Sequence, residues 1–127
     1  MGTSRPASPS PPEEGDRRRR LGAAGEELAA AWYRAAGYQV LDRNWRCRDG
    51  ELDLVCRSGG TVVFCEVKTR RSAVFGTPEE AVTAAKRHRV HRLALRWLAE
   101  HSVTAADLRF DVVAVTPGRV RVVVGAF

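Results

Sequence analysis

The stretch "ELDLVCRSGGTVVFCEVKTR", residues 51–70, contains two apolar runs joined by a Ser-Gly-Gly sequence. Both runs are rich in β-branched and other apolar residues, which predicts two strands of a β-hairpin. Asp53, Glu66 and Lys68 interrupt these runs. A charge inside a central strand of a small domain destabilises the fold unless it is paired or binds a ligand. The stretch therefore bears on function as well as on fold.

Strand geometry predicts how these three charges are arranged. Side chains alternate between faces along a strand, so Glu66 and Lys68 point the same way. If Gly59-Gly60 forms a two-residue turn, the predicted register places Asp53 directly opposite Glu66. Side chains opposed in this way lie about 5 Å apart. The hairpin is therefore expected to hold two carboxylates and a lysine on one face.

Two interpretations of this arrangement are open from the residues alone. Opposed carboxylates repel each other, and a Mg²⁺ or Mn²⁺ ion held by both, together with waters and phosphate oxygens, would relieve the repulsion. Lys68 could then orient or deprotonate a water, or stabilise developing negative charge. Alternating Glu and Lys is also typical of a solvated strand face. The apolar neighbours Phe64 and Cys65, on opposite faces, favour a partly buried site.

The residues before the hairpin predict a helix and a strand. Residues 17–36 have helical periodicity and are followed by Gly37, which predicts the end of the helix. Gly22 and Gly25 are poor helix formers and suggest a close contact near its start. Residues 38–47 alternate as in a strand, with Trp45 on the core side. The predicted core stripe of the helix is Leu21, Ala24, Leu28, Trp32 and Ala35.

The residues after the hairpin predict a second helix and a closing hairpin. Residues 71–78 are predicted as a loop, and a helix is expected from about Glu79 to Glu100, opened by Pro78. Lys86 falls on the apolar stripe of this helix with Val82, Val90, Leu93 and Trp97. It could extend to solvent, or reach the acids or a phosphate. Residues 108–115 and 119–126 predict two more strands. The order α-β-β-β-α-β-β indicates a mixed α/β domain.

Composition limits the class of protein. With 127 residues the chain predicts one domain, residues 17–127, after a Pro- and Ser-rich tail, residues 1–16, expected to be disordered. No apolar run approaches the length of a membrane span, and the amino-terminal residues lack the apolar segment of a signal peptide, so a cytoplasmic protein is expected. Three cysteines without a Cys-x-x-Cys pair predict free, buried thiols.

The net charge of +6 favours a polyanionic partner. Arginines are concentrated in residues 17–20 and along the second predicted helix, which includes Arg89. These groups fit either a solvated basic surface or a surface that follows a nucleic-acid backbone. A protein-interaction scaffold with merely solvated acids is a further alternative.

Four segments carry a resemblance to a known family. They are "GAAGEELAAAWYRAAGYQVLDRNWRCRDGELDLVCR", "VVFCEVKTR", "FGTPEEAVTAAKRHRV" and "RFDVVAV", which together span roughly residues 22–115. The sequence resembles the YraN family of small bacterial proteins. That family is similar in turn to the PD-(D/E)XK nuclease superfamily, which includes archaeal Holliday-junction resolvases. The resemblance implies a restriction-endonuclease-like fold, a central mixed β-sheet flanked by helices.

The resemblance also implies roles for individual residues. Asp53 and Glu66 correspond to the metal-binding acids and Lys68 to the catalytic lysine. Glu26 corresponds to a first-helix glutamate that supports the metal through water, and the backbone carbonyl of Val67 to a further ligand. Lys86 corresponds to a helix residue that approaches the substrate. Arg46, Arg70, Arg109, Asp111 and Asn44 fall in recurrent motifs, of which Arg46 and Arg70, with Arg89, are expected to contact nucleic acid.

The expected function is a Mg²⁺- or Mn²⁺-dependent endonuclease that hydrolyses DNA, including branched or processed DNA. Many nucleases of this superfamily cut duplexes as dimers, so a homodimer is compatible with the resemblance. The alternative is a nucleic-acid-binding protein of nuclease-like fold that performs no chemistry, because function resides in the site rather than the fold.

Overall fold

The computed structural model of this protein describes residues 14–70 and 83–127. Its elements are α1 (Glu14–Ala35), β1 (Gln39–Cys47), β2 (Gly50–Ser58), β3 (Thr61–Thr69), α2 (Ala84–Glu100), β4 (Asp107–Thr116) and β5 (Arg119–Val123). The strands form one sheet in the order β1-β2-β3-β4-β5. The β3–β4 pair is parallel and the other pairs are antiparallel, so the predicted mixed α/β class and element order are confirmed.

The central hairpin has the turn that the sequence predicts. Ser58 pairs with Thr61, which makes Gly59-Gly60 a two-residue turn. Gly59 has a φ of 58°, in the left-handed region that glycine adopts readily. The β2–β3 ladder ends at the pair Leu54–Cys65, so the expected direct pairing of Asp53 with Glu66 is not part of it.

The ladder stops at Asp53 because the side-chain alternation of β2 changes phase there. Leu52 and Leu54 are two residues apart, yet they pack in different clusters on opposite faces of the sheet. On β1, Arg43 pairs with Leu54 and Trp45 pairs with Leu52. Asn44, which lies between those β1 residues, has a φ of 52°, unusual for a residue other than glycine. The irregularity in both strands turns Asp53 out of the regular ladder.

The core has two layers, one on each face of the sheet. On one face α1 packs mainly against β3 and β1, and the buried residues are Ala29, Ala30, Tyr33, Leu54, Cys56, Val63, Cys65, Val113 and Val115. On the other face α2 packs mainly against β2, and the buried residues of this layer are Leu52, Val55, Val62, Phe64, Val90, Leu93, Ala94 and Trp97. Trp45 packs against this second layer, as predicted. The three cysteines are free thiols as predicted; Cys56 and Cys65 are buried as expected, whereas Cys47 is only half-buried.

The predicted core stripe of α1 is wrong at four of its five positions, and the side chain of the fifth, Leu21, lies outside the described residues. Leu28 and Trp32 are 49% and 37% exposed, and Ala24 and Ala35 are exposed as well. The residues of α1 that lie buried against the sheet are Gly25, Ala29, Ala30 and Tyr33. A helix side made largely of small residues can approach a sheet more closely than one made of large residues, and this is the side that packs.

Gly25 marks a close approach of α1 to the sheet. A Cβ atom at this position would lie 2.0 Å from the Oγ1 atom of Thr69, so only glycine fits without a shift. The close contact predicted from the two glycines is therefore confirmed at Gly25. At Gly22 an added Cβ would meet nothing within 4 Å.

The helix ends differ in part from the prediction. α1 begins at Glu14 rather than at residue 17. Gly37, with a φ of 91°, follows the helix as predicted. α2 begins at Ala84, and Thr83 caps it by accepting a hydrogen bond from the N–H of Lys86. The predicted loop at 71–78 and helix start near Glu79 lie outside the described residues. Within the described residues no helix is long and apolar enough to cross a membrane.

The last strand is shorter than predicted. β5 ends at Val123 instead of at residue 126. Gly125 has a φ of 64°, and its N–H donates a hydrogen bond to the Asp111 carboxylate at 2.9 Å. This bond fixes the chain beyond β5 to the middle of β4.

Candidate active site

Four elements bring charged side chains together around the second half of β3. β2 supplies Asp53, β3 supplies Glu66 and Lys68, and α2 supplies Lys86. α1 supplies Glu26 close enough for its charge to affect Asp53. These five residues are the acids and lysines that the sequence predicts for one site.

Asp53 is a buried carboxyl group in an acidic environment. It is only 8% exposed, and its Oδ2 accepts a hydrogen bond from the backbone N–H of Val67 at 2.8 Å. Burial and the charge of Glu66 raise the pKa of Asp53 to about 7, although the Val67 hydrogen bond lowers it. The negative charge of Glu66 thus acts on Asp53 although the two residues are not a ladder pair. At neutral pH this carboxyl group is suited to bind either a proton or a cation.

Glu66 lies between two lysines. The Nζ atom of Lys68 is 3.2 Å from Oε1 of Glu66, and the Nζ atom of Lys86 contacts the same oxygen. The Glu66 side chain is 13% exposed, and each lysine side chain is about a quarter exposed, at 26% and 27%. The predicted common face of Glu66 and Lys68 is confirmed. Of the two alternatives for Lys86, the structure selects contact with the acids.

The two lysines are electrostatically different. Burial lowers the pKa of Lys68, and the neighbouring Lys86 lowers it further. Burial also opposes the charge on Lys86, but its contacts with Glu66 outweigh this and raise the pKa of Lys86. Burial and Lys86 therefore make the Lys68 ammonium group easier to deprotonate than that of an ordinary lysine, whereas Glu66 stabilises the charged form of Lys86.

Glu26 lies at the edge of this group. Burial raises the pKa of Glu26, and a hydrogen bond with the side chain of Asn44 lowers it. Its charge contributes to the raised pKa of Asp53, after burial and Glu66. Asn44 thus lies at the irregularity of β1 and also hydrogen-bonds to Glu26 of α1. The sequence alone did not predict this contact.

A second polar network holds α1 in place. Asp111 is fully buried, and its carboxylate accepts hydrogen bonds from the hydroxyl of Tyr33 at 2.6 Å and from Arg109 at 2.9 and 3.0 Å. Arg109 also donates to the hydroxyl of Tyr38 at 3.0 Å. Sequence patterns single out Arg109 and Asp111 but give them no role. The structure gives them one: they fix Tyr33, which lies two helical turns from Glu26.

The arginines expected to contact nucleic acid are spread around the fold. Arg46 is 75% exposed and pairs with Glu51 at 2.9 Å. Arg70 directly follows β3, and its backbone N–H bonds to the carbonyl of Val115 at 2.9 Å. Arg89 is exposed on α2. A shallow cavity of about 120 Å³ is lined by Asp49, Arg89, Arg92, Leu93 and Arg96.

Comparison with known proteins places this arrangement in a family. Residues 25–115, more than half of the chain, match the model of the uncharacterised protein family UPF0102. This chain belongs to the UPF0102 family. All five charged site residues lie inside the matched range.

Individual UPF0102 proteins agree with this match. The chain is 60% identical to one from Beutenbergia cavernae over 95 residues, which are 75% of this chain and 80% of that protein. It is 60% identical to one from Nocardia farcinica over 77% of this chain and 79% of that protein. It is 54% identical to one from Frankia alni over 84% of this chain and 93% of that protein.

The donor set of this UPF0102 protein fits a hard divalent cation. Asp53 and Glu66 offer carboxylate oxygens, the ligands that Mg²⁺ and Mn²⁺ prefer. Their mutual repulsion is the kind that a bound cation removes. Across the described ranges, no three His, Cys, Asp or Glu side chains are grouped as metal ligands. Two carboxylates would therefore need oxygens from the backbone, waters or a substrate phosphate to complete the coordination.

Proposed function

We propose that this UPF0102 protein is a Mg²⁺- or Mn²⁺-dependent nuclease that hydrolyses phosphodiester bonds in DNA. The observation that carries the proposal is the pair of a buried acid, Asp53, and a partly buried acid, Glu66, with Lys68 beside it. The charge of Glu66 helps to raise the pKa of buried Asp53, and the Nζ atom of Lys68 is 3.2 Å from Glu66. Such an arrangement is unfavourable for stability alone, so we infer that it is retained for chemistry.

Each residue has a role in this proposal. Asp53 and Glu66 would hold the cation, the Val67 carbonyl would add an oxygen, and Glu26 would act through a water. When bound, the ion would polarise the phosphodiester and lower the pKa of a water. Lys68, whose pKa is lowered by burial and by Lys86, would take the proton of the attacking water or stabilise the negative charge that develops.

The basic surface supports a nucleic-acid substrate. The net charge is +6, and Arg46, Arg70 and Arg89 lie on three different elements or their ends. Guanidinium groups bind phosphates without reading sequence, so these arginines would position the backbone. Their contribution to binding would weaken as salt rises, because each phosphate contact releases counterions.

The test is cleavage of labelled nucleic acids in Mg²⁺ or Mn²⁺. The panel contains single-stranded, duplex, flapped and four-way DNA, with an RNA strand for comparison. Asp53→Asn and Glu66→Gln remove the proposed ligands, and Glu51→Gln removes an exposed acid from the same strand as Asp53. Cleavage should be lost in the first two variants and retained in the third. Cleavage that survives both ligand substitutions would refute this assignment.

A second candidate is a nucleic-acid-binding protein without catalysis. The observation that favours it is that two lysines already neutralise Glu66. In this case no substrate in the panel would be cut, but binding would be visible in the same gels. Binding would weaken steeply with salt, and Asp53→Asn would bind as well as or better than the wild type, because it removes repulsion towards phosphate.

A further inference from the structure

A single oxygen of Glu66 carries two cationic contacts. Oε1 receives Lys68 Nζ at 3.2 Å and is contacted by Lys86 Nζ as well. An ammonium group bound to a partly buried carboxylate oxygen occupies a position that a metal ion would otherwise take. In this structure the negative charge of Glu66 is therefore already balanced by lysine ammonium groups of the protein itself.

We propose that Lys86 is the internal cation of this site: its ammonium group holds Glu66 in the metal-free protein and is displaced when a divalent ion binds. The inference rests on the proposed metal-dependent function. It goes beyond that function by proposing that Lys86 and the metal ion compete for the Glu66 carboxylate.

Lys86, rather than Lys68, is the lysine that can leave. Lys68 is two residues from Glu66 on the same strand, and its backbone is paired with Ala114 of β4. Lys86 is the third residue of α2, in its first turn, and its side chain is 27% exposed. Its flexible chain of methylene groups allows the ammonium group to reach solvent while the helix stays in place.

The displaced ammonium group needs a new partner. A phosphate of bound nucleic acid supplies one, because a lysine binds phosphate as a point charge. Metal and nucleic acid would then strengthen each other's binding, since each favours the arrangement in which Lys86 has left Glu66. Such coupling is reciprocal: DNA raises the affinity for metal by the same factor as metal raises the affinity for DNA.

The experiment is a calorimetric titration of the full-length protein with Mn²⁺ at fixed ionic strength. Lys86→Met removes the internal cation and keeps the apolar stem. Arg87→Met is the matched control, because it removes one positive charge from the exposed neighbouring position. Lys86→Met should bind Mn²⁺ about tenfold more tightly than the wild type, within the usual range of coupling between sites. Arg87→Met should stay close to the wild type.

The same titration with an uncleavable phosphorothioate duplex measures the coupling. The duplex should raise the Mn²⁺ affinity of the wild type and should raise that of Lys86→Met much less. Thermal melting verifies that each variant is folded. Lys86→Arg keeps a cation and should bind Mn²⁺ like the wild type. If Lys86→Met folds poorly, Lys86→Gln replaces it with the same expected gain.

The outcomes separate this inference from the proposed function. Wild-type protein that binds Mn²⁺ with no gain in Lys86→Met would overturn the role of Lys86 and leave the metal site intact. Equal gains in Lys86→Met and Arg87→Met would also overturn it, because general charge would then explain the effect. If neither the wild type nor any variant binds Mn²⁺, the metal-dependent function itself fails, and the inference fails with it.

Discussion

The two helices have similar apolar patterns but use them in opposite ways. In α2 the apolar stripe faces the sheet, and Leu93 and Trp97 are each 2% exposed. In α1 the predicted stripe faces away from the sheet, and Leu28 is 49% exposed. The side of α1 that packs is the one with Gly25 and small alanines. Periodicity therefore identifies a helix and its sides, but the closeness of packing decides which side is buried.

The helices also differ in the charge they bring to the site. α1 brings Glu26, whose negative charge helps to raise the pKa of Asp53 after burial and Glu66. α2 brings Lys86, whose ammonium group contacts Glu66. One acid of the pair thus lies in an acidic environment and the other between cations. Asp53 therefore has a raised affinity for a proton, whereas Glu66 is paired with Lys68 and Lys86.

The largest effect expected from this comparison is on stability. Leu93→Ala should destabilise the protein by roughly 2–5 kcal/mol, because it leaves a cavity between α2 and the sheet. Leu28→Ala, the same change on α1, should alter the free energy of unfolding by no more than about 0.5 kcal/mol. Urea unfolding of both variants measures the difference. Similar losses of unfolding free energy in the two variants would mean that Leu28 is buried and would contradict the exposed position of this face of α1.

The next effect is a pH dependence caused by Asp53. The pKa of this group is raised on folding from 3.8 to about 7. The folded state therefore binds a proton on Asp53 more tightly than the unfolded state does. The stabilisation of the folded state by this proton is fully present below pH ~4 and is lost as the pH rises through ~7. When the pH is raised from 5 to 8 in EDTA, the free energy of unfolding of the wild type should fall by roughly 2–3 kcal/mol more than that of Asp53→Asn.

Comparing the two proteins at both pH values removes the contribution of groups that do not interact with Asp53, because those groups titrate alike in both. The amide introduced by Asp53→Asn keeps an oxygen that can accept the hydrogen bond from the Val67 N–H. Parallel changes in the wild type and the variant would contradict the raised pKa of Asp53.

The smallest expected effect is at the contact between Gly25 of α1 and Thr69 of β3. Gly25→Ala should destabilise by roughly 1–3 kcal/mol, because the new methyl group overlaps Thr69. Thr69→Ala in the same chain should recover most of that loss, and the double-mutant cycle should give a coupling between the two positions. If Gly25→Ala instead stabilised by the ~1 kcal/mol expected from helix propensity alone, α1 would not lie this close to β3.

Much of the fold and the site could be predicted from local sequence. The Gly59-Gly60 turn follows from the glycine pair between two strand-like runs. The shared face of Glu66 and Lys68 and the place of Lys86 on the apolar stripe of α2 follow from strand and helix periodicity. These features depend on residues close together in the chain, and the structure confirms each of them.

Features that depend on distant segments could not be predicted. The phase change at Asp53 arises from both β1 and β2, with Asn44 in the left-handed region. The network of Asp111 joins α1, β4 and the residue Gly125, which are far apart in sequence. The buried side of α1 depends on its fit to Thr69. No single continuous stretch of the sequence contains a pattern that predicts any of these features.

The central claim is that Asp53 and Glu66 hold one divalent cation and that Lys86 gives way to it. Anomalous diffraction from crystals soaked in Mn²⁺ tests both parts at once. We expect one anomalous peak within ligand distance of both carboxylates, with the Lys86 ammonium group moved away from Glu66. A well-ordered site with no peak at saturating Mn²⁺, or a peak with Lys86 still on Glu66, would contradict the claim.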